Sequence, residues 1–359
     1  MSSALSTPRK GNRVRILVTG SSGLVGSEAV AHFDALGHEV LGIDNNMRQT
    51  FFGPKGDTTW NLARLKRNTR RFQHLDVDIR DRAGIMEIFR AASPACVIHC
   101  AAQPSHERAS DLPLVDFEVN VAGTLNLLEA TRQYAADSPF IFMSTNKVYG
   151  DAPNERPLVE LPTRFDYADP GDWCGIDENC RIDRSLHTLF GASKASADLY
   201  AQEYGHYFGM NIGIFRGGCL TGPYHSSVEL HGFLSYLVKV ALAGQQYTIY
   251  GYQGKQVRDN IHSLDVVRAM EEFARSPRPG AVYNIGGGRE NSVSILEAID
   301  LIFDLTGRTP DVRYVDQPRK GDHVCYMTDL AKLRRDYPGW DVRIPLQEII
   351  RDIADAIEQ

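Results

Sequence analysis

Short apolar runs alternate with amphipathic stretches along the first two thirds of the chain. Each run is long enough for one buried strand, and the stretches between the runs repeat apolar residues at helical spacing. The predicted strands span 14–19, 39–43, 72–77, 95–100 and 140–144, and the predicted helices span 26–36, 120–134 and 193–208. This alternation predicts an α/β fold with a Rossmann-type, doubly wound parallel sheet.

The pattern changes twice further along the chain. Residues 152–188 are rich in Pro, Gly and Asp, which predicts an irregular excursion over the surface near the substrate. After about residue 219 a helix at 233–242 alternates with short strands at 247–250 and 281–285. We therefore expect a Rossmann domain over 14–218 and a smaller α/β substrate-binding lobe over 219–359, partly interleaved with it.

Composition narrows the class of protein without defining it. The 359 residues carry 39 Lys and Arg against 45 Asp and Glu, a net charge of −6, which argues against nucleic acid as a partner. The polar, basic residues 1–13 predict a disordered tail and not a signal peptide. No apolar run approaches the ~20 residues of a membrane helix. The six cysteines suggest free thiols in a reducing cytoplasm, and Cys174 and Cys180 lack companions for a metal site.

A glycine-rich turn follows the first predicted strand and leads into a helix. Residues 19–26 read TGSSGLVG, which places a glycine at every third position. Glycines permit a tight turn and close backbone approach, and the helix N-terminus then offers free N–H groups to a pyrophosphate. In this context the turn predicts a dinucleotide site. The residues assigned to it are Gly20, Ser22, Gly23, Leu24 and Val25.

Asp44 ends the second predicted strand, about 20 residues beyond the glycine turn. A carboxylate at this place binds the adenosine ribose hydroxyls and repels a 2′-phosphate, which favours NAD over NADP. Arg48 argues the other way, because an arginine nearby can accommodate that phosphate. The other residues assigned to this end of the cofactor are Asn45, Asn46, Asp78 and Ile79.

Six further segments occur in a fixed order along the chain. They are His99–Gln103, Asn120–Thr124, Ser144–Gly150, Phe190–Lys194, Phe215–Gly218 and Gly254–Asp259. Over roughly residues 14–350 the chain resembles the extended short-chain dehydrogenase/reductase family of nucleotide-sugar epimerases and dehydratases. Within that family it is most similar to CDP-sugar 2-epimerases. The resemblance implies bound NAD, a CDP- or UDP-hexose substrate, and a homodimer built on helices 120–134 and 193–208.

The resemblance also implies roles for individual residues. Thr145, Phe190 and Lys194 occupy the catalytic positions: Thr145 would bind the reacting sugar oxygen and Lys194 the nicotinamide ribose. Further cofactor contacts are implied for Ala101, Ala102, Gln103 and Asn120. The implied substrate contacts are Gln103, Thr145, Asn146, Gly217, Arg258, Arg319 and Asp322, with Arg258 on the diphosphate. His106 and His231 lie where a substrate-facing residue is plausible, although a lone histidine is more often structural.

Phe190 departs from the family, which has tyrosine four residues before the lysine. The spacing places both side chains on one helix face, where the ammonium lowers the pKa of the phenol for proton transfer. Phe190 keeps the ring and lacks the proton. Three interpretations stay open: an engineered Tyr→Phe change, a natural enzyme whose proton moves through Thr145, water or the sugar, and a binding protein or regulatory subunit without turnover.

The residues after Thr145 argue against dehydration. Dehydratases of this family usually carry an Asp-Glu pair there, which performs the acid–base steps of water loss. Asn146 and Lys147 cannot supply such a pair at neutral pH. Epimerisation through transient hydride transfer is therefore favoured, with a nucleotide-sugar 4-epimerase or a reductase as the alternative.

Overall fold

The computed structural model describes residues 13–229 and 231–358. The predicted tail therefore lies outside the described residues except for Arg13. The strands are β1 Arg15–Thr19, β2 Glu39–Ile43, β3 Phe72–Leu75, β4 Cys96–His99, β5 Phe140–Thr145, β6 Leu158–Glu160, β7 Phe165–Tyr167, β8 Ile212–Gly217, β9 Cys219–Thr221, β10 Gln246–Tyr250, β11 Val257–His262, β12 Ala281–Ile285, β13 Ser292–Ser294, β14 Asp311–Val315 and β15 Cys325–Tyr326.

Helices of very different length connect these strands. They are α1 Leu24–Ala35, α2 Met47–Phe52, α3 Thr59–Asn68, α4 Arg82–Ala92, α5 His106–Asp111, α6 Pro113–Phe117, α7 Thr124–Tyr134, α8 Leu189–Phe208, α9 Phe233–Leu242, α10 Ser263–Arg275, α11 Ile295–Thr306, α12 Ala331–Asp336 and α13 Leu346–Glu358. A π-helical turn at Glu118–Gly123 leads into α7. In the described part of the chain, no helix is long and apolar enough to cross a membrane.

The main sheet confirms the predicted fold class. Its order is β12-β8-β5-β4-β1-β2-β3, and every neighbouring pair is parallel. Successive side chains of a strand point to opposite faces. In β1, Ile16 and Val18 therefore pack in the core under α1 and α10, whereas Leu17 packs in the core under α4, α7 and α8. Burial on both faces explains the unbroken apolar runs of the sequence.

The later part of the chain contributes to both regions. β12 lies at the edge of the main sheet and α10 packs on α1, so residues after 219 also contribute to the sheet and to its covering helices. A separate core joins α9, α11, α13 and β10, with Leu237, Ile302 and Ile349 at its centre. The boundary at 218 stays a prediction.

The excursion at 152–188 is more ordered than its sequence indicates. It contains the antiparallel pair β6–β7, and Asp166 receives two hydrogen bonds of 2.9 Å from Arg289. The carboxylate of Glu178 accepts a hydrogen bond of 2.6 Å from the Asn284 N–H. Polar contacts distant in sequence thus attach this segment to β12 and to the loop after it.

Helix α8 begins four residues earlier than the predicted helix at 193–208. Thr188 is its N-cap, and its hydroxyl accepts a hydrogen bond from the Gly191 N–H at 3.2 Å. Phe190 and Lys194 therefore lie in the first two turns. Further along the same face, Asp198 forms a buried ion pair with Arg216 of β8, with N–O distances of 2.8 and 3.0 Å.

Replacement of Asp198 by asparagine should destabilise the fold strongly. The change leaves the Arg216 guanidinium buried without its counter-charge, which typically costs about 3–5 kcal/mol. Chemical denaturation followed by circular dichroism measures the loss. Glu87→Gln is the matched control, because it removes an exposed ion pair with Arg90 on α4 and should leave the midpoint unchanged. Equal midpoints for the two variants would contradict the assigned role of the buried pair.

Candidate active site

One large cavity opens at the carboxyl ends of the central strands, where the smaller lobe covers the sheet. Its volume is about 470 Å³. Most of the predicted site residues line it, although they are scattered along almost the whole chain. They are Gly20, Gly23, Leu24, Val25, Asp44, Asn45, Asp78, Ile79, Ala101, Ala102, Thr145, Asn146, Phe190, Lys194, Gly217, Arg258, Arg319 and Asp322. The carboxyl edge of a parallel sheet is where such folds bind ligands.

The glycine turn forms one end of the cavity. Gly20 has φ +67°, and a side-chain carbon there would lie 2.8 Å from the Ala101 nitrogen. A side-chain carbon at Gly26 would lie 2.0 Å from the Gly20 carbonyl oxygen. Only glycine fits either place, and the N-terminus of α1 stays open to the cavity as a pyrophosphate site requires.

Asp44 is held at the end of β2 by two backbone donors. The Ser22 N–H donates to its carboxylate at 2.9 Å and the Asn46 N–H at 2.8 Å. Burial raises the pKa of this carboxyl, and the two donors oppose that rise. An oriented carboxylate on the cavity wall fits a ribose diol, so these residues suit the adenosine of NAD.

Arg48 is already engaged within the protein. Its guanidinium donates to the Ser226 carbonyl at 2.8 Å, contacts His231 Nδ1 at 3.3 Å and stacks on Phe52 at 4.6 Å. Burial lowers its pKa to about 10. The arginine thus ties the cofactor side to the segment before α9, and recruiting it to a 2′-phosphate would break those contacts.

The predicted catalytic residues meet at the middle of the cavity. Thr145 ends β5, and its hydroxyl accepts a hydrogen bond from the Lys147 N–H at 3.2 Å. Lys194 donates from Nζ to the Met143 carbonyl at 2.9 Å and lies over the Phe142 ring at 4.2 Å. Burial lowers the pKa of Lys194 to about 8. Phe190 lies one turn earlier on α8.

The far end of the cavity is polar and cationic. Arg258 on β11 is paired with Asp322, and Lys147 Nζ donates to the Gly321 carbonyl at 2.9 Å. Arg319 donates to the Glu229 carbonyl and to the Glu107 carboxylate, each at 3.1 Å. Two guanidinium groups on one wall form a site suited to a diphosphate.

The structure places four predicted contact residues away from the cavity wall. Gln103 is buried, and its amide donates to the Asp116 carboxylate at 2.7 Å and accepts from the Ser105 N–H at 2.6 Å, so the expectation that it reaches the sugar is not met. Asn120 bonds to the Gln103 backbone in both directions. Neighbouring buried groups provide the hydrogen-bond partners of both amides, so neither amide is directed into the cavity. Ser22 and Asn46 do not line the cavity; their backbone N–H groups donate hydrogen bonds to the Asp44 carboxylate.

Several residues that line the cavity carry no recognisable sequence motif. They belong to the smaller lobe: Tyr224, Glu229, Phe233, Tyr236, Tyr247 and Tyr250. The one sequence feature that could have indicated them is the high density of tyrosines in this part of the chain, because they do not form a motif with fixed spacing. Among the described residues, no group of three or more His, Cys, Asp or Glu side chains could hold a metal ion.

Comparison with known proteins defines the class. The model of the NAD dependent epimerase/dehydratase family matches residues 16–286, and the chain belongs to that family. It is 31% identical over 352 residues to CDP-paratose 2-epimerase of Salmonella typhi, covering 95% of this chain and 98% of that one. It is 29% identical over 355 residues to dTDP-glucose 4,6-dehydratase of Escherichia coli, covering 91% and 89%.

A solved relative shares the whole fold. UDP-glucose 4-epimerase of Thermus thermophilus, in complex with NAD, superposes with a TM-score of 0.75 at 28% identity, covering 96% of this chain and 99% of that one. The family resemblance inferred from the sequence is confirmed, and NAD is the cofactor of the family.

Replacement of Asp44 by alanine should weaken NAD binding by about 10- to 100-fold, because hydrogen bonds to a charged group contribute roughly 1.5–3 kcal/mol. Calorimetric titration of the cofactor-free protein measures the affinity. Asp76→Ala removes a nearby exposed carboxylate and is the control. NAD affinity that is unchanged in Asp44→Ala would place the ribose elsewhere.

Proposed function

We propose that the protein is an NAD-dependent epimerase of a nucleotide diphosphate sugar, of the CDP-sugar 2-epimerase type. The observation that carries this proposal is the arrangement of one cavity, with the Gly20 turn and Asp44 at one end and Arg258 and Arg319 at the other. Thr145 and Lys194 lie between them. A dinucleotide and a nucleotide sugar entering from opposite ends would meet at these two side chains.

The residues beside Thr145 favour epimerisation over dehydration. Asn146 and Lys147 both line the cavity, so an amide and an ammonium stand where an acid pair would be needed. Lys147 has its pKa lowered by burial to about 8, yet one basic group does not replace two carboxyl groups. The relative that shares 31% identity is a CDP-sugar 2-epimerase by name, in agreement with this choice.

Each side chain has a defined task in this proposal. NAD, when bound, supplies reversible hydride acceptance, so that the sugar carbon can be oxidised and then reduced. The Thr145 hydroxyl binds the reacting sugar oxygen, and Lys194 holds the nicotinamide ribose. Arg258 and Arg319 bind the diphosphate, which anchors the sugar while its ring turns over.

A labelled nucleotide sugar tests the reaction type. With deuterium at the epimerised carbon of a CDP-hexose, the product should keep the deuterium at that carbon, because a hydride returned within one site does not exchange with water. NMR spectroscopy of the product reports both the label and the configuration. Substrates labelled at C2 and at C4, with CDP and UDP as carriers, separate the 2-epimerase from the 4-epimerase. Loss of the label to solvent, or a dehydrated product, would refute the proposal.

Exposed apolar side chains on the outer faces of α6 and α8 support a homodimer. Leu199 and Tyr200 on α8 are about half exposed, at 47% and 48%, and Leu114 and Phe117 on the neighbouring α6 are exposed by 77% and 54%. Such apolar side chains on adjacent helices suit a self-complementary contact.

We expect a dimer by sedimentation, and a monomer for Leu199→Asp. Leu186→Asp, at an exposed loop position (80%), is the control, and a monomeric parent protein would exclude the contact.

A further inference from the structure

His106 lies directly against Phe190 in the middle of the cavity. The two ring centroids are 5.1 Å apart, and the rings cross at 75°, edge to face. His106 opens α5, which packs on the N-terminal part of α8, and it lines the same cavity as Thr145 and Phe190. A proton-accepting ring therefore stands beside the one position where the family's phenol is missing.

Two neighbours fix the orientation of this imidazole. Its Nδ1 is 2.7 Å from the hydroxyl of Thr188, which also caps α8. Gly321 packs on the same ring edge, where a side-chain carbon would lie 3.1 Å from Nδ1. No hydrogen-bond partner of Nε2 exists within 13–229 and 231–358. In the tautomer whose Nδ1–H donates to the Thr188 hydroxyl, Nε2 is the unprotonated ring nitrogen left for a ligand.

Burial, reinforced by neighbouring charges, keeps the His106 ring neutral in the free protein. Burial, then the charge of Lys147, lower the pKa of His106 to about 3, while Asp322 opposes and Arg319 reinforces this effect. Its own helix contributes Glu107, which pairs with Arg319. In the tautomer with Nδ1–H on Thr188, the neutral imidazole presents an unprotonated Nε2. A diphosphate at Arg258 and Arg319 would offset the cations and make that nitrogen more basic.

We propose that His106 is the catalytic residue that moves the proton in place of the phenol absent at Phe190. The proposal rests on the proposed epimerase function. As the sugar O–H bond breaks, its proton bonds to His106 Nε2, its electron pair forms the C=O bond, and the hydrogen on carbon leaves as hydride to NAD. On the return, hydride adds to the carbonyl carbon and Nε2 gives the proton back to oxygen. Protons and electrons balance over the cycle.

The other polar groups nearby are less suited to this step. The Thr145 hydroxyl accepts a hydrogen bond from the Lys147 N–H at 3.2 Å and donates to the Asn146 amide oxygen at 3.5 Å, and an amide is not a base that could take its proton. Lys147 Nζ is held by the Gly321 carbonyl at 2.9 Å and approaches His323 Nδ1 at 3.4 Å. Its contacts place the ammonium where it adjusts the basicity of His106.

Rescue by the family's own residue tests the assignment. His106→Gln keeps a polar side chain and should lower kcat for the labelled nucleotide sugar by about 10²–10⁴-fold with little change in KM. Adding Phe190→Tyr to that variant should restore at least a tenth of the parent rate, because the phenol beside Lys194 takes over the proton. His206→Gln, at an exposed position on α8, should behave as the parent.

A readout independent of turnover comes from NMR spectroscopy of histidine-labelled protein. The signal that His106→Gln removes should shift when CDP-glucose or UDP-glucose is added, and its titration midpoint should rise by at least one pH unit. Calorimetry should give the same nucleotide-sugar affinity for parent and His106→Gln.

The outcomes separate the two proposals. A parent protein that epimerises and a His106→Gln variant with the parent's kcat would overturn the role of His106 alone. A rate lost together with affinity, and not rescued by Phe190→Tyr, would reduce His106 to a structural residue. A parent that binds nucleotide sugars without altering them would overturn the epimerase function and the proton transfer with it.

Discussion

The buried ion pair between Asp198 and Arg216 sets the geometry on which the site depends. Asp198 also accepts a hydrogen bond of 2.6 Å from the Ser144 hydroxyl, so one carboxylate ties α8 to β5 and β8. Phe190, Lys194 and Asp198 are spaced by four residues and lie on one face of the helix. Ser144 directly precedes Thr145. A charge pair behind the cavity thus fixes the distance between the helix that carries Lys194 and the strand that carries Thr145.

Because of this framework, the phenylalanine at position 190, where the family resemblance implies a tyrosine, changes only its immediate surroundings. The Phe190 ring packs in the same first turn of α8 that a tyrosine would occupy, and Lys194 keeps its bond to the Met143 carbonyl. The residues proposed to bind cofactor and substrate are therefore distinct from the position that lacks a proton donor. In the proposed mechanism the proton acceptor comes instead from α5, which packs on α8 and brings His106 into contact with the Phe190 ring.

The sequence predicted the sheet well because its strands are buried on both faces, which leaves unbroken apolar runs. It also located the residues at the strand ends, where Asp44 and Thr145 must face the cavity. It failed for Gln103, whose amide turns to Asp116, because the direction of a loop side chain depends on partners brought close by folding. Arg48 shows the same limit: its carbonyl partner at Ser226 lies 178 residues away in sequence.

At the cationic end of the cavity, the Arg258 side chain is already oriented by a carboxylate of the protein in the absence of a ligand. Burial would raise the pKa of Asp322, but Arg258 and Lys147 hold it at about 2, so the carboxylate stays charged. The ion pair with Asp322 holds the Arg258 guanidinium in one orientation and compensates its charge. A diphosphate that approaches Arg258 therefore exchanges one anion for another, and it avoids most of the entropy of ordering the side chain.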